Sequence, residues 1–222
     1  MNRLIVNVFA IAAILVSTVA CKGDTKNETE ATAAKEVAAP EAQATNYAVD
    51  PATSSIAWKG FKPTESHSGT ISLTSGNVQI DGDNVTGSFT IDMNSINVTD
   101  LEGDSKASLE AHLKGSAKGK EDHFFNVAQF PTATFEVTGI TDNAGVKMMQ
   151  GNLTMKGKTK NIEFPVTYSI EGDNMTLSSK SFMIDRTQWG IEFMSKSVFD
   201  DLKDKFIKDD MEVTISLKAK KA

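Results

Sequence analysis

Residues 123–137 read His-Phe-Phe-Asn-Val-Ala-Gln-Phe-Pro-Thr-Ala-Thr-Phe-Glu-Val, and this stretch decides the fold. After Pro131, polar residues alternate with three apolar ones, which are Ala133, Phe135 and Val137. A period of two predicts a half-buried β-strand, and Pro131, which cannot donate a ladder hydrogen bond, marks the loop before it. The adjacent pair Phe124 and Phe125 is predicted to fold under the sheet as an aromatic plug.

Alternation of the same kind recurs on both sides of this stretch. The predicted strands cover residues 47–49, 55–59, 70–73, 78–80, 85–94, 134–140, 146–155, 161–170, 175–185 and 211–218. Turn signals such as Asp-Gly-Asp-Asn separate them, and nearly every strand has one apolar and one polar face. The sequence therefore predicts an all-β fold, an extended antiparallel barrel of about eight strands that encloses room for side chains or one small ligand.

Two segments between the strands have helical spacing. In residues 104–114, Leu109 and Leu113 lie four positions apart behind an Asp-Ser start, which predicts a short helix. In residues 197–206, apolar side chains again recur every four positions and predict a second short helix.

The N-terminus has the form of an export signal. An apolar run over residues 4–16 follows Arg3 and is shorter than a typical transmembrane helix. Small residues then precede Cys21. These features predict a secretory signal peptide over residues 1–20. A small residue directly before the chain's single cysteine resembles the lipobox of bacterial lipoproteins, which implies a lipid-modified Cys21 as the mature N-terminus. The alternative is an ordinary signal peptide with a chance cysteine.

Residues 22–45 are rich in Ala, Glu, Lys and Thr and contain no aromatic residue. Such a segment buries too little apolar surface to offset ordering, so the sequence predicts a disordered tether behind Cys21, over residues 21–45, and a domain over 46–222. As a flexible chain the tether would span roughly 25–30 Å root-mean-square.

The charge of the chain limits its partners. The formal net charge is −6, and it becomes −7 when Arg3 is removed with residues 1–20. This charge argues against nucleic acid as a partner and against electrostatic binding to anionic lipid surfaces. Any attraction to lipid is therefore expected to be apolar.

Several motifs of the domain occur together in an order and spacing typical of one family. They are Tyr47-x-x-Asp50 with Trp58, His67-Ser68-Gly69, Phe89-x-Ile91-Asp92, Ser95-Ile96, His112-Leu113, Phe124-Phe125-Asn126-Val127-x-x-Phe130-Pro131-x-x-x-Phe135, Gly151-Asn152-Leu153-Thr154-Met155-Lys156-Gly157 and Arg186-Thr187-x-Trp189-Gly190-Ile191. Over roughly residues 46–217 the chain thereby resembles the YceI-like family of bacterial envelope proteins. It departs from the family pattern at 115–121, where extra Gly, Ser and Lys residues precede the plug, and at Trp189, where the family usually has Phe.

The resemblance implies a lipocalin-like barrel whose interior holds a polyisoprenoid chain, such as an isoprenoid quinone or a polyprenyl phosphate. It implies an isoprenoid lipid as the bound partner and no required cofactor. With the predicted anchor, it places the protein in the bacterial cell envelope, facing the periplasm or at the outer membrane. No particular protein partner is predicted, and a homodimer is left open.

The expected contacts with the lipid are apolar residues of these motifs and of the strand faces. They are Trp58, Phe89, Ile91, Phe124, Phe125, Phe130, Phe135, Leu153, Phe164, Phe182 and Trp189. The candidates for contact with a polar head group are His67, His112 and Arg186. Methionines in or beside the strands suit a cavity that takes a flexible chain, and they suit ordinary barrel filling equally well.

Arg186 stands out because it is the only arginine after residue 20, against twenty-one lysines. Its planar fork suits a ligand head group, a buried carboxylate or an aromatic ring, and the structural role is the favoured interpretation. Strand neighbours point to opposite faces, so a carboxylate partner is expected from another strand and not from Asp185.

The sequence offers little for catalysis. His67, His112 and His123 equal the number of protein ligands in a catalytic zinc site, but no pair of them has the spacing of metal ligands. The chain has neither Gly-x-Ser-x-Gly nor a phosphate loop. We therefore predict no metal site and no enzymatic activity.

Two classes of function follow from these patterns. The leading hypothesis is a carrier that sequesters an isoprenoid lipid in the barrel. The alternative is a structural or interaction module with a filled core, a partner of membrane electron-transfer or stress-response proteins. Inward-facing apolar stripes look alike in both, so the strand pattern does not separate them.

Overall fold

The computed structural model describes residues 29–39 and 41–222. Its strands are β1 (Thr45–Val49), β2 (Ser55–Phe61), β3 (Ser66–Asp81), β4 (Asn84–Val98), β5 (Thr132–Asn143), β6 (Val146–Met155), β7 (Lys158–Glu171), β8 (Asn174–Ser179), β9 (Phe182–Asp185) and β10 (Asp210–Lys221). One α-helix, α1 (Gly103–Lys114), lies between β4 and β5. Short 3₁₀ turns lie at Pro51–Thr53, Arg186–Trp189 and Lys203–Lys205.

Antiparallel pairing closes the sheet into a barrel. The order is β10-β2-β3-β4-β5-β6-β7-β8, and β8 pairs back with β10, which makes a ring of eight strands. β10 closes the ring by pairing with β2 and then β1 on one side, and with β9 and then β8 on the other. The predicted fold class, an all-β antiparallel barrel of about eight strands, is confirmed.

The two ends of the barrel differ in what covers them. At the closed end, tight turns join β3 to β4, β5 to β6 and β7 to β8, and β1 lies between β3 and β10. At the open end, α1 and the long segments 115–131 and 186–209 connect the strands. The predicted plug belongs to the first of these segments.

The helix predicted over 104–114 is present as α1. It ends at Gly115, whose left-handed backbone, φ 73°, lets its N–H return to the carbonyl of His112. Leu113 is buried and Leu109 packs against the core, so the spacing of four does mark the inner face. Glu110 accepts a 2.8 Å hydrogen bond from the backbone N–H of Val98, which joins the helix to β4.

The second predicted helix, over 197–206, is wrong. Of these residues only Lys203–Lys205 form a helical turn, and it is a 3₁₀ turn. Asp201 and Lys203 have positive φ angles of 64° and 50°, which an α-helix does not allow. The apolar residues recur at helical spacing, but they lie on an irregular loop.

Two strand boundaries also differ from the prediction. β3 is continuous where the sequence predicts strands at 70–73 and 78–80 with a turn between them. Register shifts against β4, between Thr70 and Ser72 and between Leu73 and Ser75, absorb the irregular stretch as bulges. The single strand predicted over 175–185 is divided at 180–181 into β8 and β9.

An N-terminal arm, residues 29–39, lies against the outer face of the barrel. The N–H of Thr29 donates to Met183 O at 2.9 Å, Thr32 pairs with Asn161, and the N–H of Lys35 donates to the side chain of Asn152 at 3.0 Å. The prediction of a disordered tether over 21–45 is therefore wrong for these residues. The predicted signal peptide and Cys21 lie outside the described residues.

Buried amides under the arm explain why a polar segment is ordered. Asn152 and Asn161 are 4% and 2% exposed, and Asn161 Nδ2 donates to the oxygen of Asn152 at 3.1 Å. Asn152 Nδ2 in turn donates to Lys35 O at 2.7 Å. Without the arm, this hydrogen bond would be lost from a site shielded from water, at a typical cost of about 1–3 kcal/mol.

Candidate functional site

An apolar cavity of about 160 Å³ lies inside the barrel and opens at the end that carries α1. Side chains from nine of the ten strands line it, together with the plug. At its mouth lie Gly60, Phe125, Ile207, Lys208 and Met211, all partly or fully exposed. Among the described residues, the charged ones in its wall are Arg186, Lys208 and Asp210.

Four phenylalanines form a chain of ring contacts across the interior. Centroid distances are 6.3 Å for Phe89–Phe135, 5.6 Å for Phe135–Phe164 and 4.4 Å for Phe164–Phe182, the last pair stacked. Offset and tilted pairs of this kind add stability beyond the area they bury. Toward the closed end the interior is filled by smaller buried side chains, which are Val78, Val85, Val137, Val166 and Met175.

Glycines make room for these rings. A Cβ added to Gly151 would lie 2.2 Å from Cζ of Phe135, and one added to Gly76 would lie 2.7 Å from Cδ1 of Phe89. Real Cβ atoms do not approach carbon that closely. The rings of Phe135 and Phe89 therefore fit only because the facing strand position is a glycine. Gly151 belongs to the motif that the sequence singled out.

The plug lies under the open end, held by an aromatic and histidine cluster. Phe124 is buried and Phe125 partly buried, and both line the cavity, because a loop does not force neighbours to opposite faces. His112 and His123 share a 2.8 Å hydrogen bond between Nε2 and Nδ1, and the ring of His123 stacks on Phe193 at 3.9 Å. The ring of His112 meets Phe124 edge-on at 5.1 Å.

Burial and charge act on His112 in the same direction. Desolvation lowers the pKa of His112 from its usual value, and the positive charge of Lys120 and the neighbouring His123 lower it further. The folded protein therefore favours the neutral imidazole, which can keep the hydrogen bond to His123 in one tautomer.

Arg186 has a structural role. It is 4% exposed, and each of its three nitrogens donates to a carbonyl: Nε to Lys208 at 3.1 Å, one terminal nitrogen to Ile191 at 2.5 Å, the other to Ile207 at 3.1 Å. Asp209 lies 3.6 Å from the same fork. Burial lowers the pKa of Arg186, and the carboxylates nearby oppose that shift.

This arrangement agrees with the favoured interpretation of Arg186. Its carboxylate partner is not the adjacent Asp185, as expected, but it is also not on another strand: Asp209 lies in the loop directly before β10. Asp185 instead accepts hydrogen bonds from the backbone N–H and hydroxyl of Thr187 and from Gln188. Arg186 ties the segments 186–191 and 207–209 together at the mouth of the cavity.

The structure brings most of the expected lipid contacts to the cavity wall. They are Trp58, Phe89, Ile91, Phe124, Phe125, Phe135, Leu153, Phe164 and Phe182. The other two lie elsewhere: Trp189 is fully buried behind the wall, where its indole N–H donates to Leu153 O at 3.0 Å, and Phe130 packs beside Gly157.

The two histidine candidates for a head group lie outside the cavity wall. His67, which pairs with Gly60 near the start of β3, contacts Asp100 Oδ2 through its Nδ1 at 3.0 Å. His112 lies behind Phe124 in the cluster described above. Among the described residues, His, Cys, Asp and Glu side chains nowhere gather in threes as metal ligands would.

The sequence missed a group of lining residues that are aliphatic or methionine. They are Ile56, Ile71, Leu73, Met93, Ile96, Leu113, Ala133, Met149, Met155, Ile162, Leu177, Ile184, Ile191, Ile207, Met211, Val213, Ile215 and Leu217. Strand alternation could have found most of them, since they share a face with the aromatic residues. In β6, for example, the parity of Leu153 assigns Met149 to the interior and Met148 to the outer face.

Comparison with known families gives a match that fits this geometry, an antiparallel barrel that is closed at one end and carries an aromatic plug at the other. The YceI-like domain matches residues 47–219. The chain belongs to the YceI-like family. Members of the UPF0312 group from Yersinia pestis (strain Pestoides F) and Yersinia pseudotuberculosis (serotype O:3) are each 38% identical over 89 residues. These alignments cover 36% of this chain and 41% of the relatives, so the chain matches about two fifths of their length.

Solved structures share the YceI-like barrel. BcnA from Burkholderia cenocepacia superposes with a TM-score of 0.61 at 21% identity, covering 77% of this chain and 99% of BcnA. A polyisoprenoid binding domain from Saccharophagus degradans superposes with a TM-score of 0.55 at 15% identity, covering 79% and 98%. At these identities the likeness shows the fold.

Proposed function

We propose that this YceI-like protein binds an isoprenoid lipid in its barrel, of the quinone or polyprenyl phosphate type, and sequesters or carries it in the bacterial cell envelope. The observation that supports this function is the apolar cavity, closed at one end and open at the other. A ligand that fills it must be apolar along its length, with any polar group at the mouth, where Lys208 is exposed. The structural neighbour from Saccharophagus degradans, a polyisoprenoid binding domain, supports the same class of ligand.

The size of the cavity limits what enters without movement. A cavity of about 150 Å³ holds one benzene ring, so about 160 Å³ takes one five-carbon isoprene unit. Burial contributes about 0.8 kcal/mol per CH₂, hence about 4 kcal/mol for one unit, which corresponds to a Kd near the millimolar range. Tight binding therefore requires several units inside the barrel.

Methionines supply the adaptability that a longer chain needs. Met93, Met149, Met155 and Met211 all line the cavity. Their unbranched side chains change rotamer at low cost and pack against a ligand as readily as against each other. We infer that successive isoprene units displace these side chains from the mouth inward, until the phenylalanine contacts stop them.

The lipid anchor is part of the proposal. The small residue before Cys21, the apolar run and the single cysteine support a lipoprotein. Within the part of the chain that the structure describes, no helix is both long and apolar enough to cross a membrane. Labelled palmitate should be incorporated into the protein and lost in Cys21→Ser; an unlabelled wild type would end the anchor proposal.

Two alanine substitutions with the same added atoms test the ligand site. Ala133 lines the cavity, while Ala57 is exposed on the outer face of β2. Ala133→Leu should fill part of the free space and reduce the isoprenoid that organic extraction and mass spectrometry recover from the purified full-length protein. Ala57→Leu should retain it. If no isoprenoid is extracted, or both variants retain it equally, the cavity is not the ligand site.

The second candidate function is a filled-core structural or interaction module that partners membrane electron-transfer or stress-response proteins. The small size of the cavity favours it, because typical ligand pockets measure about 300–1,000 Å³. Under this alternative, Ala133→Leu should raise the melting temperature by filling a void, and extraction should yield no isoprenoid from any variant.

A further inference from the structure

Two adjacent apolar side chains are exposed beside the mouth of the cavity. Val198 is 45% exposed and Phe199 is 47% exposed, in the segment Ser195–Phe206, here called the rim loop. A large aliphatic and an aromatic side chain that both face solvent lose favourable burial free energy unless something covers them. In the part of the chain that the structure describes, the other exposed large apolar residues, which are Val37, Val146 and Ile170, are each isolated in the sequence.

Hydrogen bonds fix the rim loop to the wall of the cavity. Ser195 is fully buried and forms a β-bridge with Ile207, a lining residue at the mouth. The N–H of Phe199 returns to Ser195 O at 2.9 Å, which closes one tight turn. The hydroxyl of Ser197 donates to Asp209, which also pairs with Arg186. Val198 and Phe199 are therefore held at the rim of the opening.

The charges of the rim loop cancel. It carries three lysines and three aspartates, all exposed, which are Lys196, Lys203, Lys205, Asp200, Asp201 and Asp204. The chain as a whole is negative, at −6. Because its charges sum to zero, the rim loop gains little electrostatic binding energy from an anionic partner. Its attraction to a lipid surface therefore comes from Val198 and Phe199.

The N-terminal arm places Thr29, the first described residue, closer to one end of the barrel than to the other. The arm begins at Thr29, bonded to Met183, which pairs with Glu212 on β10. The open end of β10, at Asp210, is two residues away, about 7 Å, and its closed end, at Lys221, is nine residues away, about 30 Å. The eight steps from Cys21 to Thr29 reach at most ~29 Å when fully extended.

We propose that the rim loop docks on the surface of a lipid bilayer, with Val198 and Phe199 inserted among the lipids and the mouth of the cavity facing the membrane. A chain attached at residue 21 reaches this orientation without being stretched, whereas the opposite orientation requires a nearly extended connection. An isoprenoid lipid then passes between bilayer and barrel without crossing water, a consequence that rests on the proposed function.

The test uses the chain from Cys21 to Ala222, which contains every strand of the barrel, coupled through the Cys21 thiol to a maleimide lipid in phosphatidylcholine vesicles. This attachment makes the result independent of lipid modification in the cell. Tryptophan replaces Phe199 in one variant and Val146, exposed at the closed end, in the matched control. Brominated phosphatidylcholine then quenches whichever added tryptophan enters the bilayer.

We expect brominated lipid to reduce the added emission of Phe199→Trp and to leave that of Val146→Trp unchanged, with the same result when anionic lipid is included. Equal quenching at both sites, quenching only at Val146, or none at either would overturn the proposal. Without coupling, Val198→Ser with Phe199→Ser should bind the same vesicles about tenfold more weakly than the parent. Both side chains are half exposed, so the melting temperature of this variant should match the parent.

Extraction of isoprenoid from the same preparations separates the two proposals. Quenching at Phe199→Trp without extractable isoprenoid means that the rim loop docks but the barrel carries another ligand or none. Extractable isoprenoid without quenching means that the barrel binds the lipid and that the membrane orientation is wrong.

Discussion

The closed half and the open half of the barrel are built from the same alternating strands, yet one is filled and the other is hollow. In the closed half, small branched side chains such as Val78, Val137 and Val166 pack to complete burial. In the open half, large side chains line the cavity. Arg186 holds the segments that cover it by donating hydrogen bonds to backbone carbonyls. The periodicity of a strand thus decides which side chains point inward, and their summed size decides whether space is left.

The largest expected effect concerns Arg186, on which the open end depends. Arg186→Met should lower the free energy of unfolding of the lipid-free protein by about 3–5 kcal/mol, because three carbonyls and Asp209 lose their partner. Arg186→Lys should also destabilise it, since an ammonium cannot replace the fork. Chemical denaturation measures both.

The matched control removes a charge at the closed end. Lys220 is exposed near the C-terminal end of β10, so Lys220→Met should change the free energy of unfolding by less than about 0.5 kcal/mol. If lipid-free Arg186→Lys melts at the same temperature as the wild type, the fork does not hold the open end, and Arg186 becomes a head-group candidate again.

Adding one methyl group at a glycine in each half of the barrel tests how the closed half and the open half respond to overpacking. A Cβ on Gly87, in the closed half, would lie 2.4 Å from the backbone oxygen of Asn77, which cannot move alone. A Cβ on Gly151 meets the ring of Phe135, which has the cavity beside it. Gly87→Ala should therefore cost more stability than Gly151→Ala, both on the scale of about 1–3 kcal/mol for overpacking.

Gly87→Ala and Gly151→Ala should also differ in the amount of isoprenoid that is extracted, independently of their loss of stability. In Gly151→Ala the displaced ring of Phe135 takes up free space, so extractable isoprenoid should fall. In Gly87→Ala the folded fraction should keep it. If Gly87→Ala and Gly151→Ala lower the free energy of unfolding equally, the open half is packed as rigidly as the closed half.

The smallest expected effect is the pH dependence from His112 in the plug cluster. Its pKa is lower in the folded protein, chiefly by burial, so the unfolded chain binds the proton more readily. The contribution to stability is therefore full above the ordinary histidine pKa of about 6.5 and is lost as the pH falls below it. The melting temperature of the wild type should drop more between pH 7.5 and 5.5 than that of His112→Gln. Parallel pH profiles would show that His112 does not contribute.

The parts of the fold that the sequence predicted are those where local pattern and tertiary packing agree. The alternation around Phe135 and Phe164 placed both rings inside, and the leucines of α1 marked its inner face. In β3 the two disagree: Thr-Ser-Gly-Asn at 74–77 has the composition of a turn, but pairing of residues 75–77 with β4 keeps it extended, and β1 pairs from Asn77 onward.

The remaining differences arise from contacts that composition does not encode. The arm has the composition of a disordered segment, and it is ordered because Asn152 and Asn161, more than a hundred residues away, offer it hydrogen bonds. The predicted second helix fails because the apolar residues at helical spacing share no buried face: Val198, the first of them, is exposed. The volume of the cavity depends on the sum of many side chains and cannot be read from any one strand.

The place of β10 after all the other strands in chain order has a consequence for folding during synthesis. This strand pairs with β1, β2, β8 and β9, so the ring stays open until the twelve residues of β10 have been synthesised. Until then β2 and β8 present unpaired backbone edges, which in other chains recruit neighbouring strands and lead to aggregation. The interior is accessible from the side during the same interval, and pairing of β10 with both edges closes the side of the barrel and leaves the mouth as the way in.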